Sequence, residues 1–264
     1  MTDHALFEQD WSEQDRADLF ECLVRMGDNT LVLGHRVSEW CGHAPVLEED
    51  IALANTALDL IGQTQLWLGL AGEVEGKGRT ADALAYLRDA AQFRNVLLVE
   101  RPNGDFGQTL MRQFLFDAWH IELLRALEHS TLPAIAERAK KAVKEVAYHF
   151  ERSADLVIRL GDGTDESHRR MQKALEDQWS YAGEFFVVDP CDERLEAKGI
   201  APLPTTLKKN WDQHLQTVLS EATLSLPTAA YVHKGGKRGV HTEHLGYILA
   251  EMQFLQRAYP GAVW

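Results

Sequence analysis

Two short segments carry the strongest fold signal in this chain: Asp59-Leu60-Ile61-Gly62-Gln63 and Lys144-Glu145-Val146-Ala147-Tyr148-His149. Both lie within long stretches of helical periodicity. In four-helix bundles that bind two metal ions, two helices each carry Glu-x-x-His, which places a carboxylate and an imidazole one turn apart on the inward face. Here Val146 stands three residues before His149, where that motif has Glu. The segments therefore predict a helical bundle whose metal ligands are incomplete.

Helical periodicity extends over most of the chain, whereas alternation typical of strands is scarce. Ser12 and Asp15 form a plausible capping pair at the first helix, and Ile51, Leu58 and Ile61 mark the apolar stripe of the second. The predicted helices cover 12–40, 48–71, 81–100, 106–128, 133–160, 166–185, 205–222 and 241–257. Three prolines and Gly199 predict an irregular excursion over 187–204. We expect an all-α fold, with residues 1–264 forming a single helical domain.

Composition excludes several classes of function. The 27 basic and 40 acidic residues give a net charge of −13, which argues against nucleic acid as a partner because phosphate contacts need a basic face. No apolar stretch of about 18 residues is present, so no membrane span is expected. The acidic N-terminus does not resemble a signal peptide. Cys22, Cys41 and Cys191 are odd in number and widely spaced, which predicts free thiols and a cytoplasmic location.

Acidic and histidine side chains recur among apolar residues on the predicted helices. Asp117 and His120 are three residues apart and share a helix face, as do Glu145 and His149, which are four apart. Together with acids on the first two helices they form the ligand inventory of a di-metal bundle. The alternative is that the acids are solvated and the histidines bond neighbouring carbonyls. The full candidate ligand set is Glu39, Asp59, Asp117, His120, Glu145 and His149.

Several stretches, in order along nearly the whole chain, resemble the C subunits of bacterial phenylacetyl-CoA epoxidases. They are Gly27-Asp28-Asn29-Thr30-Leu31-Val32-Leu33, Ser38-Glu39-Trp40-Cys41-Gly42-His43-Ala44-Pro45, Leu98-Val99-Glu100-Arg101-Pro102-Asn103-Gly104, His241-Thr242-Glu243-His244-Leu245-Gly246 and Glu251-Met252-Gln253-Phe254-Leu255-Gln256-Arg257. The resemblance implies a ferritin-like bundle of four-helix type with additional helices. It also implies a heteromeric oxygenase that epoxidises the ring of phenylacetyl-CoA with molecular oxygen and electrons from NADPH, delivered by a reductase subunit.

In that family, the resemblance implies, the A subunit carries the di-iron centre and the C subunit is its non-catalytic structural partner. Catalytic relatives carry a first-helix Glu, then Asp-Glu-x-Gly-His, a third-helix carboxylate, and Lys-Glu-Glu-x-x-His. Here Leu60, Gln63 and Val146 replace three of the ligands. Because two ferrous ions bring four positive charges into a low-dielectric interior, this loss should abolish iron binding. We therefore expect no catalytic residue, cofactor or metal on this chain. The expected remnant is a hydrogen-bonded polar cluster of Glu39, Gln63, Asp117 and His149.

Two other functions stay open. The chain could itself be a di-iron or di-manganese oxidoreductase that uses the unusual ligand set given above. It could also be a module that binds a CoA ester through the basic, glycine-rich loop Lys234–Arg238. His241 and His244 could form a zinc pair, but without a third ligand they more simply mark a helix start. Part of the aromatic content is expected at a subunit interface, notably among Trp11, Trp40, Trp67, Trp119, Trp179, Trp211 and Trp264.

Overall fold

A computed structural model of the protein describes residues 11–228 and 231–262. These residues form ten α-helices and no strand, which confirms the all-α prediction. Trp264 lies outside the described residues. The chain divides into two compact units: an N-terminal unit, whose described residues are 11–102 and 234–262, and a central unit, Asn103–His233. None of the described helices combines the length and apolar character needed to cross a membrane.

The N-terminal unit is built on two long helices, α1 (Glu13–Ser38) and α2 (Leu47–Glu75). The predicted cap of α1 is confirmed: the Asp15 amide donates to the Ser12 hydroxyl at 3.1 Å, and the Ser12 amide donates to the Asp15 carboxylate at 3.3 Å. Such a reciprocal pair satisfies two otherwise orphaned donors at the helix start. The shorter helices of this unit are α3 (Ala81–Tyr86), α9 (Glu243–Met252) and α10 (Phe254–Ala258).

The central unit contains α4 (Phe106–Leu127), α5 (Pro133–Gly161), α6 (Asp165–Ala182), α7 (Pro190–Ala197) and α8 (Lys208–Glu221). The α4 helix lies at its centre and is almost wholly buried, with α5, α6 and α8 packed around it. Trp211 on α8 fixes one of these contacts, because its indole N–H donates to the Leu115 carbonyl oxygen at 3.1 Å.

The predicted helix over 81–100 is wrong beyond Tyr86, where the chain forms two short 3-10 turns instead. The backbone amides of this segment are taken by side chains of α1. Asp28 accepts from the Arg94 amide and Asn29 accepts from the Val96 amide, each at 2.8 Å. The buried Arg88 guanidinium also pairs with Asp28. Tertiary hydrogen bonds thus replace the helical ones.

Two further expectations need correction. The excursion predicted over 187–204 contains α7, whose start is capped by Asp189 and carries Pro190 in its first turn; the proline taken as a helix breaker is a helix starter here. The helix predicted over 241–257 is divided at Gln253, whose side-chain amide donates to the carbonyls of Ala85 and Arg88, each at 3.0 Å.

Candidate functional site

Asp117, on α4, is the most deeply buried carboxylate of the predicted site and has no exposed surface. Its two oxygens accept hydrogen bonds from different side chains: Gln113 Nε2 donates to Oδ1 at 2.7 Å, and Ser153 Oγ donates to Oδ2 at 2.9 Å. Burial raises the pKa of Asp117 to about 6, although His149 and the two hydrogen bonds favour its ionised form. Each oxygen of this carboxylate therefore accepts a hydrogen bond from a donor of the chain itself.

His120 and His149 are also buried and interact electrostatically with each other. Burial, reinforced by His149, lowers the pKa of His120 to about 3, so its imidazole is neutral at physiological pH. Its ring packs against Phe116, with 5.0 Å between centroids. His149 lies on α5, and Asp117 interacts with it as well. The central unit therefore brings Asp117, His120 and His149 together, while Val146, one turn before His149, is fully buried and apolar.

The other two replaced ligand positions lie in the N-terminal unit. Leu60 and Gln63 are both buried on α2. They lie in the α1–α2 contact region, where the Thr30 and Thr64 hydroxyls are 2.8 Å apart. A leucine offers no lone pair, and a neutral amide does not balance metal charge. This part of α2 is thus occupied by residues that serve packing and hydrogen bonding.

Glu39 does not occupy the buried first-helix position predicted for it. It follows α1 as the C-cap residue, its side chain is 41% exposed, and it pairs with Arg36 at 3.1 Å. The antiparallel register, with Thr30 opposite Thr64, places Leu31 at the level of Gln63. Glu39 is eight residues further on, about 12 Å along the helix axis. The sequence placed it wrongly because an acid between Val37 and Trp40 looks inward-facing, whereas the helix ends at Ser38.

The remaining acids of the alternative ligand set, Asp59 and Glu145, are half-buried. Within residues 11–228 and 231–262, no group of three or more His, Cys, Asp or Glu side chains is arranged to hold a metal ion. The donors on Asp117 compete with any cation for the same oxygens. The residues present at these positions do not fit a di-iron centre.

His241, one member of the proposed zinc pair, belongs to a buried network that sequence analysis missed. Its Nδ1 lies 2.9 Å from Glu100 Oε2 and its Nε2 lies 3.0 Å from the Phe93 carbonyl oxygen. Because the Glu100 carboxylate and the Phe93 carbonyl are both acceptors, this geometry suits an imidazolium that donates from both ring nitrogens. Burial alone lowers the pKa of His241, but the hydrogen bond and charge of Glu100 raise it above its ordinary value. The network anchors the start of α9, in agreement with the interpretation of His241 and His244 as marking a helix start.

The glycines of the Lys234–Arg238 loop are explained by close packing inside the N-terminal unit. A Cβ on Gly236 would lie 2.0 Å from the Asn95 carbonyl oxygen, and one on Gly239 would lie 2.2 Å from that of Ala91. Gly239 also has a φ of +76°, which favours glycine. These residues allow the loop to approach the 91–97 backbone, so a phosphate-binding role is not needed to account for them.

A second polar cluster, also missed from the sequence, lies in the central unit beside a cleft of about 730 Å³. Buried Glu122 accepts hydrogen bonds from Arg125 at 2.6 Å, Asn210 at 2.7 Å and His214 at 3.0 Å. Burial raises the pKa of Glu122, but these hydrogen bonds outweigh it and the net direction is downward. The cluster ties α8 to α4. Its partners on α8, Asn210 and His214, are 88 and 92 residues away from Glu122 in sequence, so spacing gave no signal for them.

The all-helical architecture of the described residues is that of the ferritin-like class. The family model described as "Phenylacetic acid catabolic protein" matches residues 4–264, and the chain belongs to this family. It is 48% identical over 241 residues to the C subunit of the 1,2-phenylacetyl-CoA epoxidase of Escherichia coli (strain K12). That alignment covers 91% of this chain and 97% of the relative. The resemblance seen in the sequence motifs is therefore confirmed.

Proposed function

We propose that this chain is the non-catalytic structural subunit of a 1,2-phenylacetyl-CoA epoxidase in aerobic phenylacetate breakdown. In this role it binds the di-iron A subunit and stabilises the helices around that centre, in a complex with further oxygenase subunits and a reductase. The family and the E. coli relative support a place in phenylacetate catabolism. The observation that carries the non-catalytic role is that Leu60 and Val146 are fully buried and apolar, at positions where the resemblance implies metal-binding carboxylates in catalytic relatives.

The charge balance supports the same proposal. A di-ferrous centre needs about four compensating negative charges in a low-dielectric interior. Of the predicted positions, Asp117 is buried and carries its own donors, whereas Glu39 is an exposed partner of Arg36. Neither Leu60 nor Val146 can contribute charge. Replacing a residue that only supports a metal ligand typically lowers metal affinity about 10–100-fold. The loss of several ligands themselves should lower it further.

The alternative, an oxidoreductase with its own unusual ligand set, rests on Asp117, His120 and His149 lying together in the central unit. Metal content separates the two hypotheses directly. The chain is expressed alone in medium supplemented with iron and manganese, and bound metal is measured by inductively coupled plasma mass spectrometry. We expect strongly substoichiometric metal. Metal at one or two ions per chain that disappears in His149→Ala would overturn the non-catalytic role.

The partner role is tested by co-expressing the chain with the di-iron A subunit of the same complex and purifying through a tag on one chain. We expect a stable heteromer with epoxidase activity when the reductase and other subunits are added. The chain alone should have no activity under the same conditions. A fully active A subunit that neither binds this chain nor gains stability from it would refute the proposal. Titration of CoA into the isolated chain tests the module hypothesis, for which we expect no binding.

A further inference from the structure

The α2 helix has an apolar stripe that faces away from the core of its unit. Leu47 and Leu58 are each 70% exposed and Ile51 is 53% exposed, and they follow one another along one side of the helix rather than being scattered singly. The stripe that indicated this helix from the sequence thus lies on its outer side. In chain order the outer stripe consists of Leu47, Ile51, Ala54, Leu58, Ile61 and, as its one polar member, Gln65.

The opposite side of α2 is the one that builds the core. Leu53, Leu60 and Trp67 are buried there, and Thr64 bonds α1. The helix is therefore apolar on two sides. A contiguous apolar row on the outer side of a helix is normally covered by protein, because water solvates only polar faces favourably. The outer stripe of α2 lacks such cover in the chain as described.

The spacing of the outer stripe specifies what would cover it. Its members follow steps of four, three, four, three and four residues, which is the seam of a helix that packs against another helix at about 20°. Gly62 and Gly69 lie beside the seam, and a Cβ at either position would meet nothing within 4 Å. A partner helix can therefore approach closely. An extended peptide or a membrane surface would not require this spacing.

Charge distinguishes the partner from a second copy of the chain. The α2 helix contains no Lys or Arg, and its acidic residues are Glu48, Glu49, Asp50, Asp59, Glu73 and Glu75. Pairing two copies of α2, in either direction, sets acid opposite acid along the seam, which is unfavourable. The chain as a whole carries −13 charges. A partner helix flanked by Lys and Arg would instead be complementary.

We propose that the outer stripe of α2 docks an apolar, basic-flanked helix of a different subunit of the epoxidase complex. This inference rests on the proposed function, because it assigns the surface by which the structural subunit holds its partner. Exposed aliphatic residues carry the interface. Of the described tryptophans, Trp67, Trp119 and Trp211 are buried and Trp11, Trp40 and Trp179 are half-buried, so none is as exposed as the aliphatic residues of the stripe.

The test measures the affinity of the purified chain for the A subunit with Leu58→Glu, using Leu226→Glu as a matched control. Leu226 is 49% exposed and lies outside α2, in the central unit. We expect Leu58→Glu to weaken binding at least 30-fold, because it removes a large buried aliphatic group and adds a charge. Leu226→Glu should bind as the unsubstituted chain does. Both variants should keep the helical circular dichroism and melting temperature, since neither side chain is in the core.

A second pair of variants tests the charge argument. Glu48→Lys, beside the first residue of the seam, and Glu221→Lys, at the end of α8, change the net charge equally, and both side chains are exposed. We expect only Glu48→Lys to weaken binding and to reduce its dependence on ionic strength.

The outcomes separate this inference from the proposed function. If the unsubstituted chain does not bind the A subunit, the proposed function fails. If it binds and Leu58→Glu binds equally well, the function stands and the docking surface assigned here is wrong. Analytical ultracentrifugation of the chain alone tests whether the stripe instead binds a second copy of the chain. A homodimer that dissociates in Leu58→Glu would overturn the assignment of the stripe to a different subunit.

Discussion

Replacing Asp117 by Asn should remove a pH-dependent penalty on folding that is built into the centre of the central unit. The carboxylate is fully buried, and its pKa is raised from 3.8 to about 6. Between these values the folded chain binds more protons than the unfolded chain. The free energy of unfolding therefore falls as pH rises through this window. At 1.36 kcal/mol per pKa unit, the contribution is about 3 kcal/mol.

The assay is urea unfolding of the native chain and of Asp117→Asn at several pH values between 4 and 7.5. Titrating groups that do not interact with Asp117 contribute equally to both proteins, so the informative quantity is the difference in unfolding free energy. We expect the native chain to lose about 2.4 kcal/mol relative to the variant from pH 4 to pH 7.5, because part of the unfolded-state titration lies below pH 4. The asparagine keeps an oxygen that accepts from Gln113 and an amide that the Ser153 hydroxyl can accept from, so it fits the same site.

Ser153→Ala serves as a companion variant, because it removes a donor that favours the ionised carboxylate. We expect it to steepen the loss of stability toward neutral pH, in the direction opposite to Asp117→Asn. A difference between the native chain and Asp117→Asn that stays constant from pH 4 to 7.5 would refute the reasoning. That result would mean that Asp117 is solvated or paired with a full positive charge.

Two other changes probe the N-terminal unit. His241→Gln should remove a stabilisation that the native chain has below the unfolded pKa of 6.5. The native chain loses this stabilisation as pH rises through the raised folded pKa, because Glu100 then loses its imidazolium partner. The unfolding free energies of the two proteins should converge between pH 6 and 9, and a constant difference would contradict the assignment. Gly236→Ala should destabilise the unit by about 1–3 kcal/mol, since its Cβ would meet the Asn95 carbonyl oxygen. Gly246→Ala, where a Cβ meets nothing within 4 Å, is the control for thermal melting; equal melting temperatures for the two alanine variants would contradict the packing argument.

Local chemistry made much of the fold predictable. Helix periods, the Ser12 cap and Pro133 at the start of α5 depend on residues a few positions apart, so the sequence alone determined an all-α chain and most helix bounds. The same local patterns placed Asp117 and His120 on one helix face and identified the apolar residues at positions 60 and 146. The helix prediction failed where side chains distant in sequence bind the backbone amides. Asp28 and Asn29 accept hydrogen bonds from the amides of Arg94 and Val96 in this way.

Tertiary structure alone decided which side of an apolar helix is inside. Periodicity shows that α2 carries a stripe through Ile51 and Leu58 but not what faces it, and the structure buries the other side, through Leu60 and Trp67. Tertiary structure also decided the exposure of Glu39. Because α1 ends at Ser38, the Glu39 side chain lies beyond the buried face of the helix. The pairs Glu100–His241 and Glu122–His214 join residues 141 and 92 positions apart. Burial and long-range hydrogen bonds depend on how elements pack, and that information is not local to any segment of the chain.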